Sequence, residues 1–327
     1  MIEKIDKKEK AVHVPVLLQE VLHFLKPFPV EQGKASSSCL LVDATCGEGG
    51  HAEAFLNHYP QMFLLCVDAD KEQVDFAQRR LKMFGSRVKL FTMRFSDFFL
   101  KYDSYYRKKP DRILFDLGIS RFHYERSGRG FSFQSDEYLD MRLNSDQGKT
   151  AFSIINKDSE QEIICILREY GEEANAKAIA RSICRERKIK PICTSGQLAD
   201  IVIRAVPPGY RRRRIHPATK TFQALRIAVN GELGELEKGL DLGFRVLKKG
   251  GRIAVISFHS LEDRIVKRFF KSKNKSCICP PEWPICQCKG EKEIIVLTKK
   301  PVIPQQSEVK ANPACRSAKL RVGEKCA

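Results

Sequence analysis

LLVDATCGEGGH, residues 40 to 51, decides how the chain reads. Leu40, Leu41 and Val42 form a short apolar run that suits a buried parallel strand. Asp43 ends the run. Gly47, Glu48, Gly49, Gly50 and His51 then make a glycine turn into a helix-like segment, AEAFLNHY. Strand, glycine turn and helix form the geometry that receives an adenosine-containing cofactor. Glycine lets the backbone approach a ligand where a side chain would collide. The spacing is not the GxGxxG of dinucleotide enzymes. A second apolar run, Phe63 to Val67, ends at Asp68. That acid lies about 20 residues past the turn, where a carboxylate accepts hydrogen bonds from a ribose. The turn alone fits any tight turn; turn and acid together predict a nucleoside cofactor.

Outward from this stretch the strand-helix alternation continues. HVPVLLQEVLHFL places Val16, Leu17, Val21, Leu22 and Leu25 at helical spacing before the first strand. KEQVDFAQRRLKMF is an amphipathic helix, and Val88 to Met93 a third strand followed by Arg94, Phe95, Ser96 and Asp97. The Phe95 ring suits stacking on an adenine and equally suits a core. A fourth strand, RILFDLG, carries Asp116 at its carboxyl end. Ligands gather at those ends in open α/β sheets, so Asp43, Asp68, Asp97 and Asp116 are all expected at one edge. Gly250 and Gly251 turn into a fifth strand, RIAVISF. His259, Ser260, Glu262, Asp263 and Arg264 cluster beyond it; His259 could face the acceptor, while Glu262, Asp263 and Arg264 could start a helix. EIIVLTKKP and SAKLRVGE read as a closing antiparallel pair.

From about Ser120 the alternation stops. RFHYERSGRGFSFQSDEYLDMRLN interleaves Arg, Gly and Phe. Arg126, Arg129 and Arg142 suit phosphates, and Phe131 and Phe133 suit stacked bases; the alternative is a surface loop packed by its own aromatics. EQEIICILREYG, EANAKAIARSICRERK and TSGQLADIVIRAV follow as helices without strands. Arg211, Arg212, Arg213 and Arg214 form a basic run that reads as a phosphate clamp or a solvated face. HPATKTFQALRIAVN then resumes the α/β pattern, with Phe222, Leu225, Val229 and Leu233 at helical spacing.

Composition narrows the class. Hydrophobic residues make up 43% and charged residues 30%, as in a folded globular protein. No apolar run approaches the ~20 residues of a membrane span. MIEKIDKKEKAVHV has no signal-peptide core, so a cytoplasmic location is expected. Lysine and arginine number 58 against 40 acids, a net charge of +18. That excess points to a polyanion, most simply nucleic acid, or to a merely basic enzyme. The twelve cysteines are expected as reduced thiols or metal ligands. Cys277, Cys279, Cys286 and Cys288 could hold a zinc ion, although their spacing differs from the usual CxxC; the alternative is a loop of thiols stiffened by Pro280, Pro281 and Pro284.

Long motifs carry a resemblance over nearly the whole chain: HVPVLLQEV, DATCGEGGH, VDAD, FDLGIS, GRGFSF, LDMRLN, YGEEANAKAIAR, HPATKTFQALRIAVN, GGRIAVISFHSLEDRIVKRFF and NPACRSAKLR. With these it resembles the bacterial small-subunit rRNA (cytosine-N4-)-methyltransferases, the RsmH family, formerly called MraW. The resemblance implies a class I S-adenosylmethionine-dependent methyltransferase fold, a Rossmann-like seven-stranded sheet with an inserted α-helical domain. Residues 1–124 and 219–327 would form the catalytic domain, and 125–218 an RNA-recognition insert. It implies methylation of N4 of a cytidine in the decoding region of 16S rRNA, on the assembled small subunit; a homodimer stays open. Gly49, Gly50 and His51 would bind the cofactor, Asp68 its ribose, and Phe95 and Asp116 would line its pocket. A Gln contact of the family falls here on His123, within Ser120, Arg121, Phe122 and His123. An imidazole there could donate one hydrogen bond, but its charge would vary with pH.

Chemistry adds one demand. The amine of cytosine is a poor nucleophile, because its lone pair is delocalised into the ring. A hydrogen-bond acceptor beside it would localise the pair, and Asp116, Asp140 or a neighbouring carbonyl could serve. His216 reads as an acid-base group or as a structural histidine. Carbon-5 methylation needs a thiolate, and no cysteine ends the fourth strand. A rival reading keeps the fold without catalysis, as an RNA-binding assembly protein.

Overall fold

Strand β1 (Cys39–Asp43) is buried along its whole length. Successive side chains point to opposite faces, so Cys39 and Leu41 enter one core while Leu40 and Val42 enter another. Both faces of the sheet are therefore covered, as a parallel arrangement requires. The computed structural model describes residues 15–28, 38–144, 148–212, 215–276 and 291–326. Strands β2 (Met62–Asp68), β3 (Val88–Thr92), β4 (Arg112–Asp116), β5 (Arg252–Ser257), β6 (Ile294–Val296) and β7 (Lys319–Lys325) complete the sheet. Its order is β3-β2-β1-β4-β5-β7-β6. The first five strands run parallel, and β7 pairs antiparallel with both β5 and β6. The expected closing pair is thus present. Strand order reverses between β1 and β4, the switch point where such sheets open a ligand crevice.

Helices α1 (Leu18–Phe24), α2 (Gly50–His58) and α3 (Lys71–Leu81) cover one face. Helices α4 (Phe95–Leu100) and α5 (Tyr102–Tyr105) cover the other. The short α6 (Arg121–Glu125) leads out of the sheet. A separate helical core follows, from α7 (Ala151–Lys157), α8 (Glu160–Glu169), α9 (Ala176–Glu186) and α10 (Ser195–Ala205). Side-chain caps set its helix starts: Thr150 for α7, Ser159 with Glu162 for α8, Thr194 with Gln197 for α10. After α11 (Pro208–Arg211) comes α12 (Thr219–Asn230), and Phe222, Ala224 and Leu225 of α12 join the helical core. The expected boundary at 218/219 therefore falls ahead of a helix that packs with the insert.

The helical pattern from Phe222 to Leu233 also breaks. Gly231 adopts φ +64°, closes α12 and starts α13 (Glu232–Val246). That helix returns to the sheet with α14 (Ser260–Lys273), beyond which lies α15 (Gln306–Ala311). Among the described residues no helix is long and apolar enough to cross a membrane.

Candidate active site

A cavity of about 1070 Å³ opens at the carboxyl ends of β1, β2 and β4, against α12 and α13. Its floor is the glycine turn. Gly49 has φ +82° and would press a side chain onto Leu81 and Ala77, so it must be glycine. At Gly50 a Cβ would come within 2.8 Å of Pro15 Cγ, which binds the chain before α1 closely over the turn. Gly50, His51, Asp68, Phe95, Asp116 and His123 line the cavity as expected; Gly49 stands behind it.

The carboxylates are held differently. Asp68 accepts backbone N–H bonds from Gly47 and Asp70, each at 2.9 Å. Asp116 is fixed by its own N–H, which donates to Thr45 Oγ1 at 2.6 Å. Its Oδ1 is buried without a hydrogen-bond partner, and its Oδ2 lies 3.6 Å from His51 Nδ1. His51 Nε2 donates to the Val16 carbonyl at 3.0 Å. Burial, and then the charges of Asp43 and Glu262, push the Asp116 carboxyl well above the usual range. Asp97 is the exception among the four strand-end acids: β3 stops at Thr92, and Asp97 is exposed on α4.

The MraW methylase family model matches residues 10–326. The chain belongs to the MraW methylase family. A relative from Treponema denticola, "Ribosomal RNA small subunit methyltransferase H", is 50% identical over 96% of this chain and 97% of its own. A relative of the same name from Syntrophotalea carbinolica is 46% identical over 96% of this chain and 98% of its own. Among solved structures, an S-adenosylmethionine-dependent O-methyltransferase of Thermotoga maritima aligns over 96% of this chain and 72% of its own, at 10% identity and a TM-score of 0.36. The fold assignment to class I rests on family membership and strand order. The methyl donor of this methylase is S-adenosylmethionine. The site fits it: a turn with no room for side chains, an acid at the end of β2 and, in Asp116, a cavity-lining residue with one buried, unpartnered carboxylate oxygen.

The methylase departs from expectation at several positions. Both nitrogens of His123 are engaged. Ser120 N–H donates to Nδ1 at 3.2 Å, so the neutral ring carries its proton on Nε2, which lies 2.9 Å from Asp70 Oδ2. His123 thus orients Asp70 and offers no free nitrogen to a cofactor. Asp70 also takes Arg129, whose Nη1 lies 2.8 Å from the same oxygen. Burial opposes the Asp70 charge, but the His123 and Arg129 bonds outweigh it and hold the carboxyl below its usual range. Arg129 is therefore an internal latch between the β2 end and the insert, not a solvated phosphate contact. Phe131 is 4% exposed and belongs to the helical core, so it cannot stack a base. Phe133 stacks on His216 at 4.2 Å and meets Phe222 edge-on.

His216 Nδ1 accepts the Ala218 N–H at 3.2 Å, and the residue lies outside the cavity lining. Asp140 is also outside it and clasps Arg142 through Nε at 2.7 Å and Nη2 at 2.9 Å. Burial raises the Asp140 carboxyl less than Arg142 lowers it. Neither Asp140 nor His216 stands beside Asp116. Arg126 is exposed and lines the cavity; Arg211 and Arg212 are exposed away from it. Arg213, Arg214 and the cysteines Cys277, Cys279, Cys286 and Cys288 lie outside the described residues.

Two groups at the site had no reading as site residues. Glu262 is 3% exposed, lines the cavity, and caps α14 reciprocally with His259. Burial works against its charge, but His259 and Arg226 hold it ionised. Asn230 accepts the Leu143 N–H at 2.8 Å and donates to the Met141 carbonyl at 2.8 Å. It thereby ties the LDMR segment to α12. The capping-box spacing of His259 and Glu262 was the available signal for the first.

Asp43 sets a pH dependence. Burial pushes its carboxyl from 3.8 up to about 7; the Thr45 N–H opposes the shift and Asp68 adds to it. An acid with a raised folded pKa costs stability progressively as pH rises from its unfolded to its folded pKa. Asp43→Asn should therefore melt close to wild type near pH 4. Its advantage should widen up to about pH 7 by about 1.4 kcal/mol per unit at most, and then stay constant. Calorimetric melting temperatures of both proteins across that range check it; a constant difference at every pH would contradict it.

Proposed function

We propose that this methylase transfers a methyl group from S-adenosylmethionine to N4 of a cytidine in the decoding region of 16S rRNA, on the small ribosomal subunit in the cytoplasm. The observation that carries the reading is the unpartnered, buried Oδ1 of Asp116 on a cavity that reaches the insert. At about 1070 Å³ the cavity lies at the top of the ~300–1,000 Å³ range of small-molecule pockets, which gives a flipped base room beside the donor. Positioning two reactants in line can supply roughly 7–11 kcal/mol. Bound S-adenosylmethionine would supply an electrophilic methyl, its sulfur–carbon bond breaking as the N4–carbon bond forms, which would leave a neutral thioether and one surplus proton on N4. Ionised Asp116 accepts an N4 hydrogen bond, localises the lone pair and receives that proton.

The names of the relatives support a small-subunit rRNA substrate, and the motif resemblance supports cytosine N4. Residues 125 to about 230 serve as the RNA-recognition layer, with the exposed Arg126, Arg211 and Arg212 as candidates for phosphate contacts. The experiment is nucleoside mass spectrometry of 16S rRNA from cells with and without the gene. Loss of N4-methylcytidine at one decoding-region position is expected in the deletion. An unchanged nucleoside profile would refute the substrate and leave the fold intact.

A further inference from the structure

Helix α3 carries an unusual residue on its buried face. Val74, Ala77 and Leu81 point inward there, and Gln73 points inward with them, 0% exposed. Neither Gln73 Oε1 nor Nε2 has a hydrogen-bond partner. Leaving a buried donor and a buried acceptor unpaired is costly, and native folds seldom retain both without something to pair them. Gln73 also lines the cavity.

We infer that Gln73 binds a ribose hydroxyl of the cofactor beside Asp68, a contact that rests on the S-adenosylmethionine reading of the site. Position supports it. A Cβ on Gly47 would lie 3.7 Å from Gln73 Oε1, and the Gly47 N–H donates to Asp68 Oδ2 at 2.9 Å. The amide and the carboxylate thus flank the same turn. Valence supports it as well. Ionised Asp68 can only accept, whereas an amide offers a donor and an acceptor, as a hydroxyl does. A methionine carboxylate would satisfy only Nε2, and a methionine ammonium only Oε1. A ribose hydroxyl satisfies both, while its neighbour on the ring donates to Asp68.

Binding calorimetry tests this without any turnover, using S-adenosylhomocysteine and its 2′-deoxy and 3′-deoxy analogues on wild type and on Gln73→Met. Methionine keeps the length of the side chain and removes both polar atoms. Gln73→Met should weaken S-adenosylhomocysteine about tenfold. The ligand-free variant should melt no lower than wild type, because two unpaired buried groups are gone. One deoxy analogue should lose about tenfold on wild type and little more on the variant, the signature of a shared contact. Equal affinity of wild type and folded Gln73→Met for S-adenosylhomocysteine would overturn the inference alone, as would two deoxy analogues that bind wild type like the parent. Failure of wild type to bind S-adenosylhomocysteine would overturn the cofactor reading and the inference with it.

Discussion

Asp116→Asn should slow methyl transfer by roughly a thousandfold, the scale of a lost proton acceptor, in a protein that stays folded. Asparagine keeps the shape of the side chain and the backbone bond to Thr45 Oγ1. It removes the ability to accept a proton from N4. The pH dependence carries a sign. Burial, with Asp43 and Glu262 close by, raises the Asp116 carboxyl well above its usual range. Below that raised pKa the group carries a proton and cannot act as acceptor, so the wild-type rate should climb as pH rises through it. The asparagine variant should lack that climb. Stability moves oppositely. Ionising a buried acid costs the fold free energy as pH rises through its raised pKa, so Asp116→Asn should outlast wild type on heating once pH has passed that pKa. Single-turnover rates on isolated small subunits, paired with melting curves, read both. A folded variant with wild-type rates would remove Asp116 from the chemistry.

Arg226→Ala should be the most damaging change to stability. Arg226, 8% exposed, grips Glu232 with Nε and Nη2, each at 2.8 Å, and reaches Tyr124 Oη with Nη1 at 3.4 Å. Burial works against the Arg226 charge, but Glu232 and Glu262 more than compensate. One arginine therefore links α12, whose N-terminal half packs in the insert, to the start of α13. Its charge also helps hold Glu262 ionised at the start of α14. Removing it strands the Glu232 carboxylate and takes one of two supports from Glu262, a loss of about 3–5 kcal/mol. For a chain of this size that is a fall in melting temperature of roughly 5–15 °C. Glu232→Ala in the same chain should recover part of the loss, because one stranded charge goes with it. Arg226→Lys should recover little, since a single ammonium cannot rebuild the fork. A melting temperature within a degree or two of wild type for Arg226→Ala would show that solvent replaces the pair and that it does not fasten the helices.

Sequence by itself determined the sheet, its parallel strands, the closing pair and the floor of the cofactor site. Those features are local: an apolar run of strand length, a turn that tolerates only glycine and an acid at a strand end are each written in a few adjacent residues. Topology then carries Asp43, Asp68 and Asp116 to one edge, because parallel strands share a carboxyl end. Only the tertiary structure decided which charged and aromatic residues are free. Arg129 and His123 look available in sequence, yet both converge on Asp70, more than fifty residues away. Phe131 looks like a base-stacking ring and is core, and α12 looks like the return to the sheet and packs with the insert. Gln73 looks like an ordinary polar residue and is buried with nothing to bond. The period of a helix or strand states which way a side chain faces. What it meets there depends on segments distant in the chain, and an ion pair or an orphaned amide exists only once those segments have packed.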